Sequence, residues 1–482
     1  MNTPIASKRQ DTIVAPASAP GRAAIGVIRV DGPDCWQVIE RLWSPVHSGG
    51  DKLPEARKMV LGKIFAQVDK QNAKPLDEIM LCRFEAPHSY TGNNLVEIYC
   101  HGSPMVLGAI VEAVINQGAR MAEPGEFTQR AFINGKMDLA QAEAVANLIA
   151  AQTREAGKAA LAQLAGGLSQ KIAAIRERLL DVAAEIEARL DFPEEEIEAA
   201  DAKRLAGEFE KALGEIAELI AGAKRGRLYR DGARVAIVGK PNAGKSSLFN
   251  RLVGMERAIV TPHPGTTRDS LEAVLDIRGV PVVLIDTAGL RELPDEAASS
   301  ADDIEKIGIA RSMEEIQKAD LVLLVVDRDD AELPTEALRD KAWILVKNKI
   351  DLSDGNAFPD LSDKSDMSDG SDKIASHDTI AISALKGSGL EALEESLMRQ
   401  IIGSDAAAPS EGVLVTNLRH AQCLREAREA LERSFDAFQQ ELSGEFTMVD
   451  LYLALESLGK ILGLSLGDAI LDRIFNQFCI GK

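Results

Sequence analysis

Gly239-Lys240-Pro241-Asn242-Ala243-Gly244-Lys245-Ser246 is a stretch whose residue types and spacing can hold a chain of phosphates. It matches G-x-x-x-x-G-K-[ST], directly after the apolar run RVAIV and before SLFNRLV, which reads as a helix. Glycines let backbone N–H groups curl round phosphate oxygens, and a helix N-terminus adds positive potential. Lys245 would neutralise β- and γ-phosphate oxygens and Ser246 would ligate Mg²⁺. Ala243, Gly244 and Ser247 complete the cradle, and Asn242 within it is a candidate ligand for a monovalent cation.

Three further groups follow in order, each at the end of an apolar run. Asp286-Thr287-Ala288-Gly289 ends VPVVLI; a carboxylate there can hold Mg²⁺ through water, and Gly289 can face the γ-phosphate. Asn348-Lys349-Ile350-Asp351 follows AWILVK. Asp351 can accept from guanine N1–H and the exocyclic amine, a donor pair adenine lacks, so ATP would leave the carboxylate unpaired. Ser383-Ala384-Leu385 after TIAI supplies backbone donors for the guanine carbonyl. An isolated N-K-x-D is commonly a solvated loop; four groups in order at strand ends specify GTP. Thr267, in Gly265-Thr266-Thr267-Arg268-Asp269, can complete the Mg²⁺ shell. Leu290 stands where Ras-type switches carry a water-orienting glutamine, so another group must position water and offset developing charge.

Such loops need a scaffold. Residues 232–403 alternate apolar strands with helical segments, which predicts a parallel sheet with crossover helices. Within them, the Ser/Asp-rich stretch 353–378 has too few apolar residues to order itself and reads as a surface insertion. Residues 1–135 mix β-rich runs, turns and one helix near 105–117, an α+β pattern. Residues 136–231 are rich in Ala, Glu, Leu and Lys. Leu161, Leu164, Leu168, Ile172, Ile175, Leu179, Val182, Ile186 and Leu190 form one apolar helical stripe, a core face in the plain reading. DFPEEE ends that helix at Pro193, and a second helix is predicted to about residue 224. Residues 404–482 are helical again. The expectation is a multidomain α/β plus α protein, its α/β domain inserted into a helical bundle, with 136–230 packing on 412–475.

At 482 residues, roughly two or three domains are expected. No run of about 18 apolar residues could span a bilayer, and MNTPIASKRQ lacks a signal peptide's apolar core. Five irregularly spaced cysteines fit a reducing cytoplasm and no C-x-x-C pair marks structural zinc. The net charge of −20 should repel nucleic acid unless a basic patch or partner offsets it.

With these motifs in place, the chain resembles the tRNA modification GTPases of the MnmE (TrmE) family, within the TrmE-Era-EngA type of P-loop GTPases. The resemblance covers nearly the whole length. It rests on the four GTPase motifs with Leu290, DTIVAPASAPGRAAIGVIRVDG, YTGNNLVEIYCHGSP, EPGEFTQRAFINGKMDLAQAEAVANLI, DTAGLRE and the terminal CIGK.

The resemblance implies an N-terminal domain that dimerises and binds a tetrahydrofolate derivative (5-formyl or 5,10-methylene) as one-carbon donor. It implies a homodimer working with an FAD-dependent partner, MnmG (GidA), to place aminomethyl-type groups on C5 of the wobble uridine of certain tRNAs. GTP hydrolysis would be potassium-activated, with Asn242, Thr261, His263 and Thr266 forming the K⁺ site, Thr261 and Thr266 also flanking the nucleotide. Glu305, in DIEKIGIAR, would orient the attacking water. Arg29, Glu97, Lys136 and Lys482 would hold the folate: a pterin edge offers donors to a carboxylate, and a glutamate tail wants cations. Cys479 would serve modification rather than GTP hydrolysis. As a prenylation box CIGK fails, because Gly481 is not aliphatic and Lys482 is not a usual final residue; the thiol's role as nucleophile, acid or structural group stays open. A ribosome-assembly GTPase and a P-loop kinase or ATPase are the rival readings.

Overall fold

The computed structural model describes residues 11–46, 53–70, 73–191, 199–240, 242–254, 258–259, 271–286, 314–327, 338, 341–352, 378–402, 414–464 and 468–481. They belong to two compact units: Met1–Ile149 with Ala162–Glu215 and Cys423–Lys482, and Ala150–Leu161 with Ile216–Gln422. No helix among the described residues is long and apolar enough to cross a membrane.

The first unit holds a seven-stranded sheet of β1 (Ile13–Pro16), β2 (Ile25–Asp31), β3 (Trp43–Pro45), β4 (Val60–Phe65), β5 (Pro75–Phe84), β6 (Leu95–His101) and β7 (Arg120–Met121). The order is β3-β4-β5-β6-β2-β1-β7, antiparallel except for β1 and β7. Alternation decides its two faces, because opposed residues in an antiparallel pair project to the same side. Ile28 opposes Ile98, and both lie under the helices Cys35–Leu42 and Pro104–Ile115. Burying each such side chain contributes about 1.5–3 kcal/mol. Arg29 opposes Glu97 on the other face.

The predicted single stripe divides in two. Helices Arg154–Leu164 and Gly167–Asp191 are separated by the turn at Ala165 and Gly166, and Leu161 on the first is 56% exposed. From Leu168 to Ile186 the stripe is buried, packed against the helix Gly444–Leu462. The period of three to four was right, but a continuous period does not register a turn that leaves hydrophobic spacing intact. The next helix, Ala199–Asp231, runs past the predicted end near 224. Phe209 on it stacks on Phe435 and Phe438 of the helix Leu418–Gln439, with ring centroids 5.3 and 5.7 Å apart.

The second unit is built on β8 (Ala233–Val238), β9 (Ala258–Ile259), β10 (Leu271–Ile277), β11 (Val280–Asp286), β12 (Leu321–Val326), β13 (Ala342–Lys347) and β14 (Thr379–Ala381). Their order is β14-β13-β12-β8-β11-β10-β9, with β14 to β11 parallel and β10 and β9 antiparallel. Every residue of β12, LVLLVV, is buried, as expected of a parallel strand covered on both faces. Because β8, β11, β13 and β14 run the same way, the segments that follow them emerge at one edge of the sheet. Asp378, at the end of the predicted insertion, already belongs to this fold: its carbonyl accepts from Leu345 N (3.0 Å) and its carboxylate from Ser396 Oγ (2.6 Å).

Candidate functional site

After β8 the chain turns into the helix Lys245–Val253 through Asn242 (φ 63°) and Gly244 (φ 96°), both left-handed. Asn tolerates that region, and Gly244 is required there twice over: a Cβ would collide with the Asn348 amide nitrogen. Lys245 is buried, its Nζ donating to Lys240 O at 2.8 Å, while Ser246 and Ser247 are exposed on the first helical turn. This is a backbone cradle at a helix N-terminus, shaped for an anion.

Asn348 links two loops. Its Nδ2 donates to Ala243 O and its Oδ1 accepts from Ala384 N, both at 3.0 Å, and the side chain is buried. Lys349, itself left-handed at φ 65°, donates from Nζ to Asn242 O (2.6 Å) and Asp327 Oδ2 (2.9 Å). Asn348 therefore pins the phosphate loop to the Ser383–Leu385 loop, Lys349 pins it to the acid at the end of β12, and Asp351, two residues on, is a candidate acceptor for a base. Asp351 Oδ1 accepts from Ser383 Oγ at 2.6 Å, and this hydrogen bond holds its carboxyl below the usual carboxylate range. Ser383 Oγ also accepts from Lys386 N (3.1 Å); Ala384 is buried and Leu385 projects outward. Asp286 is fully buried at the end of β11, where its Cα registers with Ile237 of β8. Asp327 was missed in the sequence, although LVLLVVD signals an acid at a strand end.

The fold thus gathers Asn242–Ser247, Asp286, Asn348, Lys349, Asp351 and Ser383–Leu385 at one sheet edge, a donor set that fits a Mg²⁺-bound guanine nucleotide. Thr261, His263, Thr266, Thr267, Thr287, Ala288, Gly289, Leu290 and Glu305 lie outside the described residues, as do Lys482 and positions 353–377 of the acidic stretch.

A second polar centre lies in the first unit. Arg29 Nε donates to Glu97 Oε1 at 2.9 Å, and Tyr99 OH donates to Glu97 Oε2 at 2.6 Å. Burial, followed by Glu97, pushes the Tyr99 phenol up to about 12. The Arg29 guanidinium lies 4.9 Å from the Tyr90 ring centroid, and Tyr90 OH bonds Thr128 Oγ1 at 2.8 Å. Arg29 Nη1 is buried with no hydrogen-bond acceptor among the described residues. A buried guanidinium N–H without an acceptor is suited to an anionic or carbonyl ligand. Lys136 donates to Pro87 O at 3.1 Å and packs on Gly92, so segment 87–92 touches both Lys136 and, through Tyr90, Arg29.

The tail is docked rather than frayed. Phe475 and Phe478 join Leu139, Ala142 and Leu471 in an apolar cluster, their rings 5.5 Å apart. Cys479 is exposed, whereas Cys35, Cys82, Cys100 and Cys423 are buried. Burial pushes Cys35 beyond the range of ordinary thiol chemistry and Cys100 up to about 11.

Two family models cover the chain: the MnmE helical domain over residues 139–479 and the GTP-binding protein TrmE N-terminus over 12–136. The tRNA modification GTPase MnmE of Moorella thermoacetica is 41% identical over 477 residues, covering 98% of this chain and 99% of its own. That of Aquifex aeolicus is 40% identical over 481 residues, covering 98% and 100%. Among solved structures, the G domain of the T. maritima FeoB iron transporter covers 35% of this chain and 98% of its own at 31% identity. The TM-score of that match is 0.25. The two domain models and the full-length identity agree: this chain belongs to the MnmE family of tRNA modification GTPases.

Proposed function

We propose that this chain hydrolyses GTP as part of an assembly that modifies C5 of the wobble uridine in certain tRNAs. The observation that carries the GTPase half is the Asn348 bracket, which ties the phosphate loop to the guanine loop at one sheet edge. Lys245 and the loop amides would bind the β- and γ-phosphates, and Ser246, Thr267 and Asp286 would hold Mg²⁺, which supplies charge neutralisation. Asp351 with the Ser383–Leu385 loop would select guanine. Asn242, Thr261, His263 and Thr266 would hold K⁺, with Glu305 orienting water.

In the first unit, Arg29, Glu97, Lys136 and Lys482 would bind a tetrahydrofolate derivative, which supplies the one-carbon unit. Arg29 Nη1, buried without an acceptor among the described residues, supports that reading. Cys479 would act in modification rather than in GTP hydrolysis. A homodimer and an FAD-dependent partner of the MnmG type would complete the assembly, the partner offering tRNA the positive surface that a chain of net charge −20 lacks overall. The same reading divides the chain into a folate-binding domain (1–135), two helical parts (136–231 and 404–482) and an inserted GTPase domain (232–403).

Hydrolysis of GTP and of ATP, each in potassium and in sodium, tests this. GTP turnover that requires potassium is the expected result. Equal rates in both salts would remove the K⁺ site, and preference for ATP would overturn the nucleotide reading.

A further inference from the structure

A buried ionic cluster and the docked tail meet at one turn. Arg130 Nη1 donates to Asp31 Oδ2 at 2.7 Å and its Nη2 to Glu126 Oε1 at 3.0 Å. Arg120 grips the same carboxylate from outside, Nη2 to Oε1 at 2.7 Å and Nη1 to Oε2 at 2.9 Å, and Glu123 N adds a bond to Oε2 at 2.9 Å. Burial alone would push the Glu126 carboxyl up, but Arg120, the Glu123 amide and Arg130 hold it below the usual range. Asp31 is fixed in turn by Thr91 and by Asn93 Nδ2 at 3.1 Å. Charges taken out of water are costly to keep, so the shape they fix is worth identifying. That shape is the turn from Glu123 into the helix Glu126–Ile133, with Gly125 at its apex.

Gly125 is left-handed (φ 68°), and its N–H points at Cys479 O at 3.4 Å. A Cβ there would stand 2.5 Å from Phe475 O and 3.0 Å from Phe478 Cβ, so this turn is a seat that only glycine forms. Two residues past the thiol, Gly481 is buried and left-handed (φ 94°), and a Cβ on it would overlap Pro16 O. Pro16 registers with Ile28, the neighbour of Arg29. The tail is therefore fastened on both sides of an exposed thiol.

We propose that Gly125 and Gly481 are positioning residues that present the Cys479 thiol beside the strand pair carrying Arg29 and Glu97, on a seat fixed by Glu126 and Arg130. This rests on the proposed part of Cys479 in tRNA modification. A clamp that served stability alone would be satisfied by Phe475 and Phe478 and would not need the chain fastened again at Gly481.

The test uses the full-length protein with Gly481→Ala, which lies beyond the helix Asp468–Phe475 and outside the ionic cluster, and Gly125→Ala as the second variant. With four cysteines buried, a colorimetric disulfide reagent such as DTNB reads Cys479 in the folded protein. Release of the seat should change the rate of that reaction by roughly fivefold or more, the scale of a local opening equilibrium. Modified uridine in tRNA from cells carrying either variant as the sole copy should fall about a hundredfold, the scale of an ångström-level misplacement. GTP hydrolysis should stay within about twofold, since distant sites act independently. Unaltered thiol kinetics in both variants would overturn the seat. Altered kinetics with full modification would overturn its role in positioning. Full modification by Cys479→Ser would instead overturn the underlying reading, a result distinct from either.

Discussion

The GTP edge of the second unit and the Arg29–Glu97–Cys479 region of the first solve the same problem in different ways. At the GTP edge, each functional group sits within a few residues of a strand end, and the parallel sheet brings the strand ends together. In the first unit, the candidate groups come from β2, β6, segment 87–92, the turn at Gly125 and a tail more than three hundred residues later. The first arrangement is written as contiguous motifs, so substitutions in it should act on nucleotide chemistry directly. The second is held by long-range contacts, so substitutions in it should separate modification from GTP turnover.

Lys245→Ala tests the contiguous edge and should have the largest effect. Removing the cation aimed at the phosphates should lower GTP hydrolysis by about a thousandfold, and modified uridine should disappear with it. Normal modification by this variant would break the link between the two regions. Cys479→Ser tests the other side: modified uridine should fall by at least about a hundredfold while GTP turnover changes little. Mass spectrometry of nucleosides from variant cells, beside a phosphate-release assay, reads both.

Asn348→Ala should come next. It leaves Ala243 O and Ala384 N without their buried partner, and about 2–3 kcal/mol for two such groups implies a loss of GTP affinity of roughly 30- to 150-fold. A fluorescent GDP analogue would measure it, and unchanged affinity would show that the bracket is incidental. Arg29→Met, which keeps length and removes the guanidinium, should weaken binding of a reduced folate by about tenfold or more with GTP turnover intact.

The smallest effect should follow Ser383→Ala. The hydrogen bond from Ser383 holds the Asp351 carboxyl low, so GTP binding should persist as pH falls towards the ordinary carboxylate range. Without that bond the folded-state pKa rises, and protonation removes the guanine acceptor sooner. The variant should match the parent near pH 7 and lose several-fold in affinity around pH 4–5. Equal pH profiles would show that the serine does not tune the base-recognising carboxylate.

These contrasts follow how much of each site the primary sequence carries. G-x-x-x-x-G-K-S, the acid after VPVVLI and N-K-I-D were legible because backbone geometry at a strand end constrains types over a short window. The linkage of Asn348 to Ala243 and Ala384 was not, because no pattern records which loop a buried amide reaches. Asp327 escaped notice for the same reason: one acid after an apolar run gains meaning only when Lys349 arrives against it. The stripe from Leu161 to Leu190 misled in a different way, since spacing reports a helical face but not the turn at Ala165 and Gly166 that divides it.

By itself, the sequence did not determine the antiparallel β10 and β9 at the sheet's edge, but it did determine the five parallel strands of the second unit and the order of the candidate nucleotide loops along the chain. Each depends on short-range alternation, glycine conformation or a few adjacent side chains. Only the tertiary structure decided that Asn348 is a bracket, that Arg29 keeps a buried N–H without an acceptor among the described residues, and that Gly125 and Gly481 hold the tail. Those facts are set by which distant surfaces exclude water together, and that is a property of packing rather than of neighbours in the chain.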